Sequence, residues 1–406
     1  MARMTSKQPA RPTGGWSAVL ALSLCVATLI ASEFMPMSLL TPLASDLRVT
    51  EGQAGQAIAV SGVFAVATSL FIAAATRGLD RRLLLMGLTG TMLGSGLIVA
   101  FAPNYPVFMI GRALIGVVIG GFWSMSAASV MRLVPERDVP RALALLNGGN
   151  ALATTIAAPL GSFLGQFIGW RGAFFCVVPL AVITLAWQYL TLPSMPSRQS
   201  ADSLATVRLL AQRRVTLGMV ALAAFFGAQF TLFTYLRPFL ETATGVGVNT
   251  ISAILLAMGV AGLAGTYAIG RLVVHRLHPI LVAMPVVMAA LGMGIIAFGS
   301  SAGVVAILLA VWGFVGTAAP VAWWTWLSRI LPDDAEAGGG LLVAVVQLAL
   351  TAGAAIGGLL FDWVGYEVTF GLSVALFALS AIFALLTVRA RKASRDAIGA
   401  SHPQRA

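Results

Sequence analysis

Lysine is almost absent from this sequence: Lys7 and Lys392 are the only two, and both lie near the ends. A phosphate loop of the form G-x4-G-K-S/T therefore cannot be written anywhere in the interior, which excludes ATP-driven work of that type. Cysteine is as scarce. Cys25 and Cys176 both fall in apolar runs and suggest neither a disulfide framework nor a thiolate metal site. His275, His278 and His402 are the only histidines. The first two are three residues apart, but no cysteine or acidic residue stands close enough to complete a ligand set, so no metal is expected. Charge itself is thin. Only 10% of the 406 residues are charged while 59% are hydrophobic, and mean hydropathy is +0.93. A soluble chain of this size needs more charge to cover its surface. The composition therefore points to an all-α membrane protein. The apolar runs hold no nucleophile–base pair, so neither an enzyme nor a cofactor is expected.

Apolar runs long enough to cross a bilayer, about 18 residues or more, recur twelve times. In this reading they occupy 16–40, 54–75, 83–102, 107–131, 141–165 and 172–192, then 215–240, 248–270, 279–300, 303–328, 338–361 and 366–388. The longest polar break is 193–214, a linker between two six-helix halves at 16–192 and 215–388, with tails at 1–15 and 389–406. With the N-terminus placed inside, the outer loops hold only Arg48, Arg171 and Arg237. Almost every other basic residue falls on the cytoplasmic side, so the positive-inside rule predicts that both termini are cytoplasmic. This asymmetry accounts for the net charge of +11 through anionic lipid head groups, with no need of nucleic acid.

Only two charges lie more than three residues inside the runs. Glu33 is the only charge in 16–40, with Pro36 three residues beyond it, and Arg112 is the only basic residue away from the ends of the spans, Arg141 and Arg237 lying at theirs. Counted by helical rise, Glu33 lies roughly 25 Å into its span from the inner side and Arg112 roughly 8 Å into its span from the outer side. The two depths are similar. An ion pair that breaks when Glu33 takes a proton is the expectation, because charges at membrane depth cluster on ion pathways. Arg112, Gly116 and Gly120 share one helix face, and the two glycines allow a neighbouring helix close approach. The halves also resemble each other: residues 132–174 align with 329–370, with Pro135 on Pro332, Ala158 on Ala355 and Gly161 on Gly358. Internal repeats of this kind characterise transporters that alternate about a midplane site.

Local patterns then resemble one family. Gly78-Leu79-Asp80-Arg81-Arg82 resembles, in shortened form, the gating motif of the major facilitator superfamily after its second helix. Gly111-Arg112 with Gly116 resembles the R-x-x-x-G pattern of its proton-coupled members, and Ala158-Pro159-Leu160-Gly161 resembles its antiporter signature with alanine in place of the first glycine. The stretch from Ser32 to Pro42 is similar to the sugar- and nucleoside-efflux branch of the drug:proton antiporter family, as are 120–143, 158–171, 227–238 and 324–329.

That resemblance implies a major facilitator fold of twelve transmembrane helices in two six-helix pseudo-repeats, monomeric, in a bacterial inner membrane. It implies proton-coupled efflux of purine ribonucleosides such as inosine and guanosine, with sugars or drugs as the alternative cargo. Glu33 and Arg112 become the proton-coupling residues. Asp80, Arg81 and Arg82 become the gate, and Gly116, Gly120, Pro159 and Gly161 serve helix packing. Helices one, four, seven and ten would line the cavity, which suggests Trp123, Gln229, Phe233 and Trp324, with Asn147 from helix five, as substrate contacts. Purine faces stack on aromatic rings, and amides bond base edges or ribose hydroxyls.

Overall fold

The computed structural model describes residues 15–76, 78–196, 209–331 and 335–401. Among them there are helices and no strands. Seven helices precede the polar break: α1 Gly15–Ser38, α2 Leu40–Leu47, α3 Glu51–Ala75, α4 Arg81–Ala100, α5 Tyr105–Leu133, α6 Val139–Phe175 and α7 Val177–Thr191. Seven follow: α8 Arg213–Phe233, α9 Leu236–Thr242, α10 Val248–Ala297, α11 Ala302–Gly316, α12 Ala319–Ile330, α13 Ala335–Val364 and α14 Tyr366–Ser401. Ten runs among the described residues are long and apolar enough to cross a membrane. The expected tail 1–15 and linker 193–214 fall largely outside the description, at residues 1–14 and 197–208. So do Arg77, Pro332 and His402.

Helix starts follow local chemistry. Thr50 caps α3 in a reciprocal box with Gln53, Asn104 caps α5, and Asp80 caps α4 through the Arg82 N–H. Each supplies an oxygen to first-turn N–H groups that have no partner within the helix.

Several boundaries differ from the sequence reading, and backbone chemistry explains them. The expected gap between 165 and 172 is helical. Its turn comes at Gly169, whose φ of 69° and ψ of 169° suit a residue without a Cβ. The gap at 270–279 is also helical, with the break at Arg276 (φ −125°, ψ 35°) just before Pro279. Conversely, runs read as single spans are broken. The first stops at Ser38, the seventh pauses at Thr234–Tyr235 before Pro238, and the tenth is interrupted at Thr317–Ala318 before Pro320. The expected basic tail from residue 389 continues α14 as helix to Ser401.

Packing repeats between the two parts of the chain. Helix α1 lies along α6, and α8 along α13; α3 pairs with α5, and α10 with α11 and α12. Across the parts, α3 meets α13 and α6 meets α10. One apolar cluster draws only on residues 18–195. The other joins the second part to Met35, Leu39, Ala54, Ile58, Phe108, Ala158 and Trp170 of the first. The two parts thus share one continuous core at the end where α3 starts and α13 finishes.

Candidate transport site

Glu33 and Arg112 are both buried, at 5% and 1% exposure. Helix α1 carries the first and α5 the second. The expected carboxylate–guanidinium bond is replaced by a different arrangement. Arg112 Nη1 donates to the Ser32 carbonyl at 2.8 Å and Nη2 to the Glu33 carbonyl at 3.3 Å. Its Nε donates to the Ala57 carbonyl and Nη2 also to Ser61 Oγ, each at 3.3 Å. Proline supplies the reason. Pro36 has no N–H, so the Ser32 carbonyl four residues earlier loses its helical donor, and the guanidinium replaces it. Close approach of α5 makes this reach possible. A Cβ on Gly116 would collide with the Ser61 carbonyl and one on Gly120 with the Ala65 carbonyl.

The Glu33 carboxyl lies beside the Gln347 side chain of α13, a residue of the second part of the chain. Gln347 Nε2 is buried with no hydrogen bond of ordinary length. Next to it, Thr351 sits against Gly62, where a Cβ would displace the threonine hydroxyl. Phe34 stacks on Phe230 of α8 with centroids 5.9 Å apart and planes at 29°. A buried acid, a buried base and two stacked rings therefore meet where α1, α5, α8 and α13 converge.

The predicted substrate contacts separate into groups. Gln229 and Phe233 both stand on α8. Gln229 is half-buried and its Oε1 has no donor. Its amide nitrogen lies 3.3 Å from where a Cβ on Gly316 would be, beside the interruption between α11 and α12. Phe233 lines a narrow crevice of about 10 Å³, room for a single water, with Met37, Ser38, Ala158 and Arg237. Trp123 is half-buried beside Phe122 and packs on the first part's own apolar cluster. Asn147 is exposed, and its amide donates to Leu143 O at 2.9 Å, one turn back along α6. Trp324 is 45% exposed, while its neighbours Trp323 and Trp326 are buried. Among the described residues, no hydrogen bond or ring contact ties Asn147 or Trp324 to the Glu33 cluster.

Asp80, Arg81 and Arg82, where a gate was expected, tie the start of α4 to α5, to α7 and to the chain that follows α7. Asp80 accepts from the Ser194 hydroxyl, from Met195 N–H at 2.9 Å and from Arg82 N–H at 2.8 Å. Partial burial works against its charge, but these donors outweigh it and keep the carboxyl below its ordinary range. Arg81 Nη1 reaches Met125 Sδ at 3.0 Å, and Arg82 donates to the Tyr189 carbonyl at 2.7 Å. Pro159 is buried within α6, and a Cβ on Gly161 would press on Ser38 Oγ.

Three ties between the parts went unread in the sequence. Asp362, at the end of α13, accepts from the Thr50 hydroxyl and from Gly52 N–H at 2.9 Å. Gln56 donates to the Ala355 carbonyl at 3.1 Å. Arg237, 6% exposed, donates to the Ser38 carbonyl and to Glu241 at 2.8 Å. A lone amide in an apolar run, as at Gln347, and a lone acid closing one, as at Asp362, were the available signals.

The sequence profile of the Major Facilitator Superfamily matches residues 22–341. The chain belongs to that superfamily. It is 55% identical over 391 residues to the Pseudomonas aeruginosa protein named transcription regulatory protein OpdE, covering 95% of this chain and 97% of that one. It is 40% identical over 377 residues to the Escherichia coli purine ribonucleoside efflux pump NepI, covering 93% and 95%. In fold it resembles the inward-facing, unoccupied structure of a bacterial homologue of the human lysosomal transporter Spinster. There the TM-score is 0.76 at 14% identity, over 94% of this chain and 98% of that one. A D-xylose–proton symporter superposes with a TM-score of 0.71 at 16% identity, over 92% and 97%. The chain is thus a multi-pass membrane protein of a transporter family, and no catalytic family is indicated.

Proposed function

We propose that this protein exports purine ribonucleosides such as inosine and guanosine across the bacterial inner membrane, exchanging them for protons by alternating access. The observation that carries the coupling is the buried Glu33 carboxyl lying at the junction of the two parts, beside Gln347 and next to a buried arginine. A proton arriving there changes the charge of a site that both parts of the chain touch, so it biases their relative arrangement. The substrate class rests on the 40% identity to NepI. The helix break at Thr317–Ala318 beside Gln229 supports a midplane site, since interrupted helices expose backbone groups to cargo.

The layout that fits is twelve crossings in two six-helix bundles, 16–192 and 215–388, with both termini cytoplasmic. Helix α10 has 50 residues, about 75 Å at 1.5 Å each, which is more than twice a hydrocarbon core of about 30 Å. Its break at Arg276 and the turn at Gly169 then each separate two crossings. Asp362, Gln56 and Arg237 would close the outer end.

Accumulation of labelled inosine in cells lacking other exporters tests the reading, with and without a protonophore. Lower accumulation that the protonophore reverses supports it. Unchanged accumulation in cells containing the protein removes the nucleoside assignment and turns the test to sugars and drugs. The OpdE name raises a second reading, a membrane regulator without flux. Binding of a nucleoside without its movement into or out of vesicles would favour that one.

A further inference from the structure

A second polar cavity lies far along the sequence from Glu33, among residues that the transport reading leaves unused. It is an open cleft with a volume of about 110 Å³, lined by Arg214, His278, Trp326, Arg329, Ile330 and Thr387. Four helices meet there: the start of α8, the segment of α10 just past its break at Arg276, the end of α12, and α14 two residues before Arg389. Membrane-crossing runs begin or finish at Arg213, Ile330 and Arg389, so the cavity stands at head-group level.

Its chemistry is one-sided. Two arginines and a histidine face it, and the six lining residues include no carboxylate. Arg329 is turned toward this region by bonds to the Val274 and Val273 carbonyls at 2.7 and 3.4 Å, on the turn of α10 that precedes the break. Trp326 is 1% exposed, and its indole N–H is buried with no acceptor. Its ring is locked in place, because a Cβ on Gly218 would overlap it. A buried donor left unmade costs about 1–3 kcal/mol. An acceptor bearing negative charge would satisfy the donor and neutralise the arginines together. The first N–H groups of α8, next to Arg214, add positive potential of their own.

We propose that this cavity binds a phosphate-bearing anion, held between Arg214 and Arg329 with the Trp326 indole as a third donor. Two sources share that chemistry: the head group of an anionic lipid in the surrounding leaflet, and a free phosphate ion from solution. Basic pockets between transmembrane helices at the membrane face suit the first.

The test uses the full-length purified protein in micelles and reads its thermal unfolding against added phosphatidylglycerol, phosphatidylcholine or inorganic phosphate. Arg214→Gln and Trp326→Phe serve as variants; the first is exposed at a helix start, and the second keeps the ring while removing the N–H. Phosphatidylglycerol raising the midpoint where phosphatidylcholine does not, with apparent affinity about tenfold weaker in Arg214→Gln, establishes a lipid site. A rise with millimolar inorganic phosphate, lost in the same variants, establishes a free-phosphate site. Equal responses to all three additions, or variants that respond as the parent does, overturn the proposal. Neither outcome depends on whether nucleosides are the cargo.

Discussion

Removing Arg112 should cost most when Pro36 is present. The guanidinium replaces the N–H that Pro36 cannot give to the Ser32 carbonyl, at 2.8 Å. Arg112→Met keeps length and approximate volume but leaves that carbonyl without a donor in apolar surroundings. A hydrogen bond to a charged group contributes about 1.5–3 kcal/mol, and an orphaned buried acceptor costs a comparable amount. With the Glu33, Ala57 and Ser61 partners also lost, Arg112→Met should destabilise by about 3–5 kcal/mol, as other buried charges do when a partner is removed. Pro36→Ala restores the N–H to the helix. In that background the same Arg112→Met change should cost about 1–2 kcal/mol less, because the Ser32 carbonyl has recovered a partner. The assay is equilibrium unfolding of the four proteins in mixed detergent–SDS micelles, analysed as a double-mutant cycle. Loss of the Glu33–Arg112 attraction enters both arms and cancels. If the two changes add within about 0.5 kcal/mol, the carbonyl-replacement account of Arg112 is wrong.

Glu33→Gln should abolish the response of efflux to a pH gradient while leaving the protein folded; a normal pH response in flux measurements would end the proton-site assignment. Asp362→Ala removes two bonds between the parts at a partly exposed site, together about 1–2 kcal/mol, or roughly five- to thirtyfold in the closed-to-open ratio of that end. Spin-label distances across α3 and α13 in a cysteine-free background should broaden toward longer values, and an unchanged distribution would count against the latch. Gly120→Leu should drive α3 from α5, since even a Cβ meets the Ala65 backbone; loss of folded protein by size exclusion is the expected result. Asp46 accepts from Arg171, which holds its carboxyl below the ordinary range; slight burial works against the charge, and the Trp170 N–H helps it. A depressed carboxyl contributes stability above its unfolded value, about 4, and loses it as pH falls through the folded one. Asp46→Asn should therefore lower the unfolding midpoint slightly at pH 7, and the difference from the parent should shrink as the pH falls below about 4. The effect is small because the side chain is 46% exposed.

Much of the architecture was legible because bilayer thickness fixes the length of apolar runs. That constraint acts through composition alone, so the all-helical, multi-pass class and most of the spans follow from counting. Boundaries were less legible. Nothing local distinguishes a polar gap that unwinds from one that stays helical, and Gly169 and Arg276 absorb the turn within continuous helices. Breaks at Thr234–Tyr235 and Thr317–Ala318 had a local signal in Pro238 and Pro320, which the run of apolar residues obscured.

At the site, sequence alone determined that Glu33 and Arg112 lie at membrane depth, that Pro36 weakens α1 beside them, and that Gly116 and Gly120 share the face bearing Arg112. Each follows from periodicity and from chemistry within one helix. Only the tertiary structure decided which atoms meet. The arginine turned to the carbonyl that proline had orphaned, and Gln347 arrived from the other end of the chain. Asn147 and Trp324 were left exposed, while Asp362 caps α3 from 310 residues away. Those outcomes depend on how helices approach one another, and an apolar stripe states that a face is buried without naming the helix that buries it.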